Sequence, residues 1–414
     1  MRSPTRTARS SRALALRVLG TCLVASLTLG ACARHGKHTT AQINLATQRM
    51  AELKSATEYQ MANQAFLAGD LPKALKHVTF SLELNPEIAK THILKGRVLL
   101  EMSKIDESSL SLQKAASIDA SNVDAAYFQG LLAERIDRKE EALTHYTHAN
   151  TLDPTNPQYA IAAAEMLVAL GRADEAQTFL TDRREQFDHS AGVRQILGHI
   201  AMLRNDATTA SRLFSEARLL APDDTTIVED LIRAQIATGD FGQAEFNLAR
   251  LLAAPRNKDR RDLLQMRARC LVQIERPVEA RDLLLALTRD DAAAADPQTW
   301  IFLGQTAVAL RDMPRVRLAS TRAIALAPKN ADGYVLRALY QRNSGNPEAA
   351  EATLKEAVRL DPSCENLILL GLTQQELGKA TDAAATFRAA AAADPADPRA
   401  EKLLAAFGTQ DVTP

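Results

Sequence analysis

Aromatic side chains make up only 4% of the 414 residues, and there is one tryptophan. Runs of β-branched residues are few, while alanine and leucine are abundant, so the chain lacks the material of strands and reads as all-helical. Four cysteines are too few for a disulfide-stapled scaffold. Neither charge dominates: 50 basic side chains face 50 acidic ones, without the basic domain of a nucleic-acid binder. Catalytic signatures are missing as well. There is no HExxH, GxSxG, GxGxxG or CxxC. "GKHTT" at 36–40 lacks both the earlier glycine and the hydroxyl residue after lysine that a phosphate loop needs. His145 and His148 share a helix face but have no third ligand in sight, and read as a solvated pair. No nucleophile or metal set converges, and no cofactor is expected.

The one long apolar run, from Val18 to Ala33, follows Arg2, Arg6, Arg9, Arg12 and Arg17 with no acid before it. A bilayer-spanning helix needs about 20 apolar residues, so the run is short for a span and has the pattern of a secretory signal. It ends in Leu29-Gly30-Ala31-Cys32, which resembles the bacterial lipobox. The resemblance implies cleavage before Cys32 and acyl chains on that cysteine. A plain signal peptide cut nearby, or an uncleaved anchor, are the alternatives. Ala33 rather than Asp after the cysteine favours the outer membrane. Residues 1–31 are thus expected to leave. Losing five arginines leaves 45 basic against 50 acidic residues, a net charge of −5. Residues 32–54 form a tether and lead-in helix. The tether is mildly basic through Arg34, Lys37 and Arg49, since the first acid is Glu52. Such a segment weakly favours an anionic lipid surface. Cys22 goes with the signal, and Cys270 and Cys364 read as small buried apolar residues.

The rest of the chain is periodic. Small residues recur at Ala62, Gly96, Gly130, Ala164 and Gly198, each 34 residues after the last. The column continues through Ile232, Ala268, Gly304, Ala338 and Gly371. A second column runs Ala74, Ser108, Ala142, Ala176, Ala210, Ala244, Ala280, Val316, Ala350 and Ala383. A third holds Pro86, Pro154, Pro222, Pro328, Pro362 and Pro395. Small residues let paired helices approach closely, and the residue before proline avoids the α region and ends a helix. Gly171, Gly239, Gly345 and Gly378 fall where a left-handed residue ends the first helix of a pair. A repeat of this size cannot bury its apolar face alone, so stacking is obligatory.

The stretch "VDAAYFQGLLAERIDRKEEALTHYTHANTLDPTN", residues 123–156, carries Gly130, Ala142, Tyr146, Ala149 and Pro154 in the small, small, aromatic, small and proline places of the tetratricopeptide repeat. Residues 55–398 resemble that family. The resemblance implies an all-α solenoid of about ten helix-turn-helix repeats wound into a right-handed superhelix. Bends or subdivisions, or merely longer surface loops, are expected near 256–262 and 289–297. Residues 399–414 read as a capping helix and tail.

The family places its first helices on a concave, protein-binding face. Carried onto this chain, that face holds Tyr59, Asn63, Phe66, Arg97, Tyr127, Leu131 and Glu134, then Gln195, His199, Arg233, Gln265 and Arg269. The early part mixes aromatics with Arg97, the composition of a binding hot spot. Arg233 and Arg269 stand in adjacent units, placed to meet a carboxylate. The alternative for each residue is an ordinary amphipathic helix face. The chaperone-tail clamp of the family is absent: Tyr59 stands in place of its lysine and Leu94 in place of its second asparagine.

The expected function is a non-enzymatic scaffold, lipid-anchored in the bacterial cell envelope and facing the periplasm, that assists assembly of a pilus or secretion machine. The alternatives are a scaffold for exopolysaccharide export and an adaptor for a peptidoglycan hydrolase or protease. Cys32→Ala should abolish incorporation of labelled fatty acid and leave a larger, unprocessed chain on gels. Unchanged labelling and size would sink the lipidation reading.

Overall fold

The computed structural model describes residues 37–183 and 186–408; the signal, Cys32 and residues 409–414 lie outside the described residues. Among the described residues every regular element is a helix, and helices pair into ten consecutive hairpins. The chain divides into two compact units between Gln186 and Phe187. The first unit holds the hairpins Lys37–Leu67/Leu71–Leu84, Ala89–Glu101/Ile105–Ile118, Val123–Arg135/Lys139–Leu152 and Pro157–Ala169/Ala173–Thr181. The second holds Ala191–Leu203/Ala207–Leu220, Thr225–Ala237/Phe241–Leu252, Arg261–Gln273/Pro277–Leu287, Pro297–Ala309/Met313–Leu326, Ala331–Asn343/Pro347–Leu360 and Cys364–Glu376/Ala380–Ala393. A short helix, Asp291–Ala294, precedes the eighth hairpin, and Pro398–Gly408 follows the tenth. No described helix is long and apolar enough to cross a membrane.

The two small-residue columns are the contact line of each hairpin. All ten residues of the second column, Ala74 to Ala383, are completely buried. In the first column, each glycine but Gly304 is closely approached by the side chain sixteen residues later on the partner helix. A Cβ added at Gly96 would lie 2.7 Å from Leu112, at Gly130 2.6 Å from Tyr146, at Gly198 2.5 Å from Phe214 and at Gly371 2.5 Å from Phe387. Sixteen residues after the alanines Ala62 and Ala164 stand the buried Val78 and Leu180. The eighth hairpin departs from the rule. Sixteen residues after Gly304 stands Ser320, and the space is filled by Leu336 of the next hairpin, 2.5 Å from where a Cβ would be.

All ten turns inside the hairpins contain one left-handed residue. Gly69, Gly171, Gly239, Gly345 and Gly378 supply five, and Ser103, Asp137, Asn205, Glu275 and Arg311 the others. Paired backbone bonds close each turn; at the second hairpin Lys104 N–H donates to Leu99 O at 2.8 Å and Ser103 N–H to Leu100 O at 3.0 Å. The second helices end on extended residues before proline, as at Asn85 (φ −148°), Asp153 (φ −134°) and Asp361 (φ −145°).

Within each unit, clusters of apolar side chains join each hairpin to the next. Ala62, Ala65, Ala74 and Val78 of the first pack with Leu94 and Val98 of the second. Ala400 and Leu403 of the last helix cover Cys364, Leu367, Ile368 and Ala390. Charged links reinforce the stack. Buried Glu351 meets Lys355 at 2.8 Å and, from the following hairpin, Lys379 at 2.5 Å. These two ammonium groups hold its carboxyl at about 2. In the two irregular segments, Asn257 is buried and donates to Leu251 O at 3.1 Å, while Ala294 O accepts from Trp300 Nε1–H at 2.8 Å.

Two substitutions of opposite sign test this account by denaturant unfolding. Gly198→Ala should destabilise the chain by about 1–3 kcal/mol through overpacking against Phe214. Arg311→Gly should stabilise it by about 1 kcal/mol, because glycine takes a left-handed turn without steric cost.

Candidate functional site

The outer faces of the first helices carry different chemistry in the two units. In the first unit it is aromatic and cationic. Arg97 lies between two rings, 4.9 Å from the centre of Phe66 in the preceding hairpin and 4.7 Å from that of Phe128 in the following one. Lys90 lies 5.1 Å over Tyr59. Tyr127 is half-buried and meets Phe128, Tyr146 and Tyr159 at centroid distances of 5.3, 5.5 and 5.4 Å. Its hydroxyl accepts from Gln158 Nε2 at 2.8 Å. Buried Tyr146 donates from its hydroxyl to exposed Glu134 at 2.5 Å. Burial pushes the Tyr146 phenol well above its ordinary value, and the bond to Glu134 adds to the effect. Leu131 packs half-buried on Leu100, Leu112 and Leu132. Asn63 is half-buried on the first helix one turn from Tyr59 and Phe66.

In the second unit the same positions are tied together by hydrogen bonds between hairpins. Gln195 Nε2–H and His199 Nε2 both meet Asp230 Oδ2 at 2.8 Å. Burial works to raise the Asp230 carboxyl, but the bonds from His199 and Gln195 and the charge of Arg233 outweigh it and hold it below the ordinary range. Arg233 donates to Asp230 Oδ1 at 2.7 Å and lies 3.5 Å from Glu229. Glu229 is also paired with Arg260, which in turn holds Asp262 at 2.5 Å. Gln265 is buried, its amide donating to Asp296 at 2.8 Å and Thr299 at 2.9 Å. Arg269 is exposed, lies 5.5 Å over Phe302, and lines a cavity of about 350 Å³ with Gln273 and Gln305.

The structure therefore brings Phe66, Arg97 and, through Phe128, Tyr127 into one chain of contacts, with Tyr59 apart under Lys90, and Gln195, His199 and Arg233 onto one carboxylate. It separates Arg233, held by two acids, from Arg269, which stacks on an aromatic ring. Residues not singled out from the sequence also take part: Lys90, Phe128, Asp230, Arg260 and Asp296. A sequence signal for them exists. Partners such as His199 and Asp230, Glu229 and Arg260, or Gln265 and Asp296 stand 31 residues apart, three fewer than one repeat. Among the described residues no group of three or more His, Cys, Asp or Glu is placed to hold a metal.

Residues 93–157 and 331–364 match models of the tetratricopeptide repeat. Those two stretches are tetratricopeptide repeats. The two matched stretches lie one in each unit, and the other hairpins share their contact columns and turn register. Among solved structures, yeast Tom70 is similar at 14% identity, over 87% of this chain and 90% of that one, with a TM-score of 0.47. PilW, described as a widely conserved type IV pilus biogenesis factor, is similar at 16% identity, over 49% of this chain and 96% of its own, with a TM-score of 0.44. YrrB, a tetratricopeptide repeat protein with an unusual peptide-binding site, is similar at 20% identity over 42% of this chain and 89% of its own, with a TM-score of 0.35. No curated protein matches the chain.

Arg97→Ala removes both ring contacts of the first unit. It should lower stability by about 1–2 kcal/mol at roughly 0.5–1 kcal/mol per exposed cation–π contact. Arg97→Lys, which keeps the charge but not the planar stacking surface, should recover part of that in thermal unfolding.

Proposed function

We propose that this protein is a non-enzymatic scaffold, anchored through lipid on Cys32 to the outer membrane of a bacterial envelope, which helps to assemble a pilus or secretion machine. The observation that carries the binding reading is the half-exposed row Tyr59, Phe66, Arg97 and Tyr127 on successive first helices of the first unit. Tyrosine and arginine are the residue types that concentrate binding energy at protein interfaces. Arg97 is already held over two rings, so less side-chain freedom is lost when a partner docks. The signal-like segment and lipobox support the location.

The test is mild crosslinking in the native host and recovery of the mature protein, beside a variant carrying Tyr59→Ala, Arg97→Glu and Tyr127→Ala. Circular dichroism of the variant controls for folding. Recovery of a pilus or secretin component with the wild type, and its loss with a folded variant, is the expected result. A polysaccharide-export component, or a hydrolase or protease, in its place selects one of the other scaffold readings. Identical partners with both proteins overturn the assignment of this face.

A further inference from the structure

The first helix, Lys37–Leu67, has 31 residues, while its partner Leu71–Leu84 has 14. The two run antiparallel, and the pairing ends near Ser55, whose hydroxyl donates to Ser81 O at 2.9 Å. The first helix continues beyond that point, and every side chain from Thr40 to Met50 is exposed.

The overhang is not uniformly polar. Ile43, Ala46, Met50 and Leu53 recur at helical steps of three and four, and Met61 prolongs the line. At about 100° per residue they occupy an arc of roughly 80°. Ile43 is 47% exposed, Met50 68%, Leu53 66% and Met61 42%; Leu45, also 47% exposed, stands off the arc. This arc is not the core face. Ser55 and Ala62, which are fully buried, point to nearly the opposite side of the helix. Arg49 and Lys54 flank the apolar arc on either side and both are exposed, Lys54 with its ammonium 4.9 Å from the centre of the Phe80 ring. Glu52 falls on the far side of the helix by the same geometry. Glu58, the next acid, is engaged with His77 at 2.6 Å.

What covers such a face is decided by its flanks and by where the chain goes. A second copy docked along the arc would set Arg49 and Lys54 beside their own kind, which is repulsive. An anionic lipid surface is complementary to both, and takes the apolar arc into the boundary between headgroups and acyl chains. Position agrees. Cys32 stands five residues before Lys37, a reach of at most about 17 Å. We infer that Ile43, Met50 and Leu53 lie on an anionic membrane surface, giving the chain a second membrane contact beside the lipid. This inference rests on the reading of Cys32 as acylated.

The test labels a cysteine placed at Met50 or, on the opposite side, at Glu52, with an environment-sensitive fluorophore. Labelling is selective because Cys270 and Cys364 are buried, at 0% and 7% exposure, and burial pushes the Cys270 thiol to about 11. The mature protein, purified from its host, is reconstituted into vesicles of phosphatidylethanolamine and phosphatidylglycerol carrying a quencher on the acyl chains. Its N-terminal fragment is weighed by mass spectrometry. The expected result is a blue shift and several-fold stronger quenching for Met50→Cys than for Glu52→Cys, reduced when phosphatidylcholine replaces phosphatidylglycerol. An acylated chain that floats with the vesicles but shows no quenching at Met50→Cys overturns this inference alone. A blue shift that depends on protein concentration and not on the quencher also overturns it, in favour of a second copy. A fragment without acyl mass, from a chain that does not float, overturns both this inference and the anchor.

Discussion

The closeness of the two helices in each hairpin is the constraint on which the rest depends. It is set where a first-column residue faces the side chain sixteen positions on. Gly198 can be approached by the whole ring of Phe214, and Ala62 packs in one cluster with the smaller Val78. Close packing makes such fitting necessary, since interiors tolerate neither voids nor overlap. A hairpin closed in this way still has an uncovered apolar face. Within each unit the next hairpin covers it, as Leu94 and Val98 cover the first, and the last is covered by Ala400 and Leu403. Gly304 shows how local the rule is: with Ser320 opposite, the space passes to Leu336 of the neighbouring hairpin.

Once the inner faces are used for packing, chemistry is left to the outward sides of the first helices, and the two units use theirs differently. The first presents rings and cations. Its contacts combine dispersion with ring electrostatics and leave Tyr59, Phe66 and Tyr127 half-exposed. The second commits its polar groups to internal pairs. A carboxylate ligand for Arg233 would have to displace Asp230 and Glu229, so its gain is a difference between two similar interactions. Arg269 instead lies over Phe302 and beside a cavity. The first helix adds a separate outward face, because it outlasts its partner and carries an apolar arc that no hairpin covers.

Much of the fold was legible in the sequence because a contact that admits only small residues leaves a column that survives changes elsewhere. The ten-unit count, the helix-ending prolines and the glycine turns all came from such positions. Five of the ten turns were harder to read. Ser103, Asp137, Asn205, Glu275 and Arg311 adopt the left-handed conformation without being glycine. There the paired backbone bonds and the packing on either side hold the turn against its steric preference, and no residue type marks it.

The sequence by itself determined the periodicity, the helical class, the small-residue contact lines and which residue types face outward, since each follows from spacing along one chain. Tertiary structure decided which outward groups are already engaged. That Arg97 is flanked by Phe66 and Phe128, that Arg233 is held by two acids, and that Gln265 is buried beneath Asp296 and Thr299 all depend on how one hairpin stacks on the next. A separation of 31 residues brings side chains into contact only after two helices have packed and turned, and neither the rotation of the helices nor the rotamers of the side chains is written in the spacing.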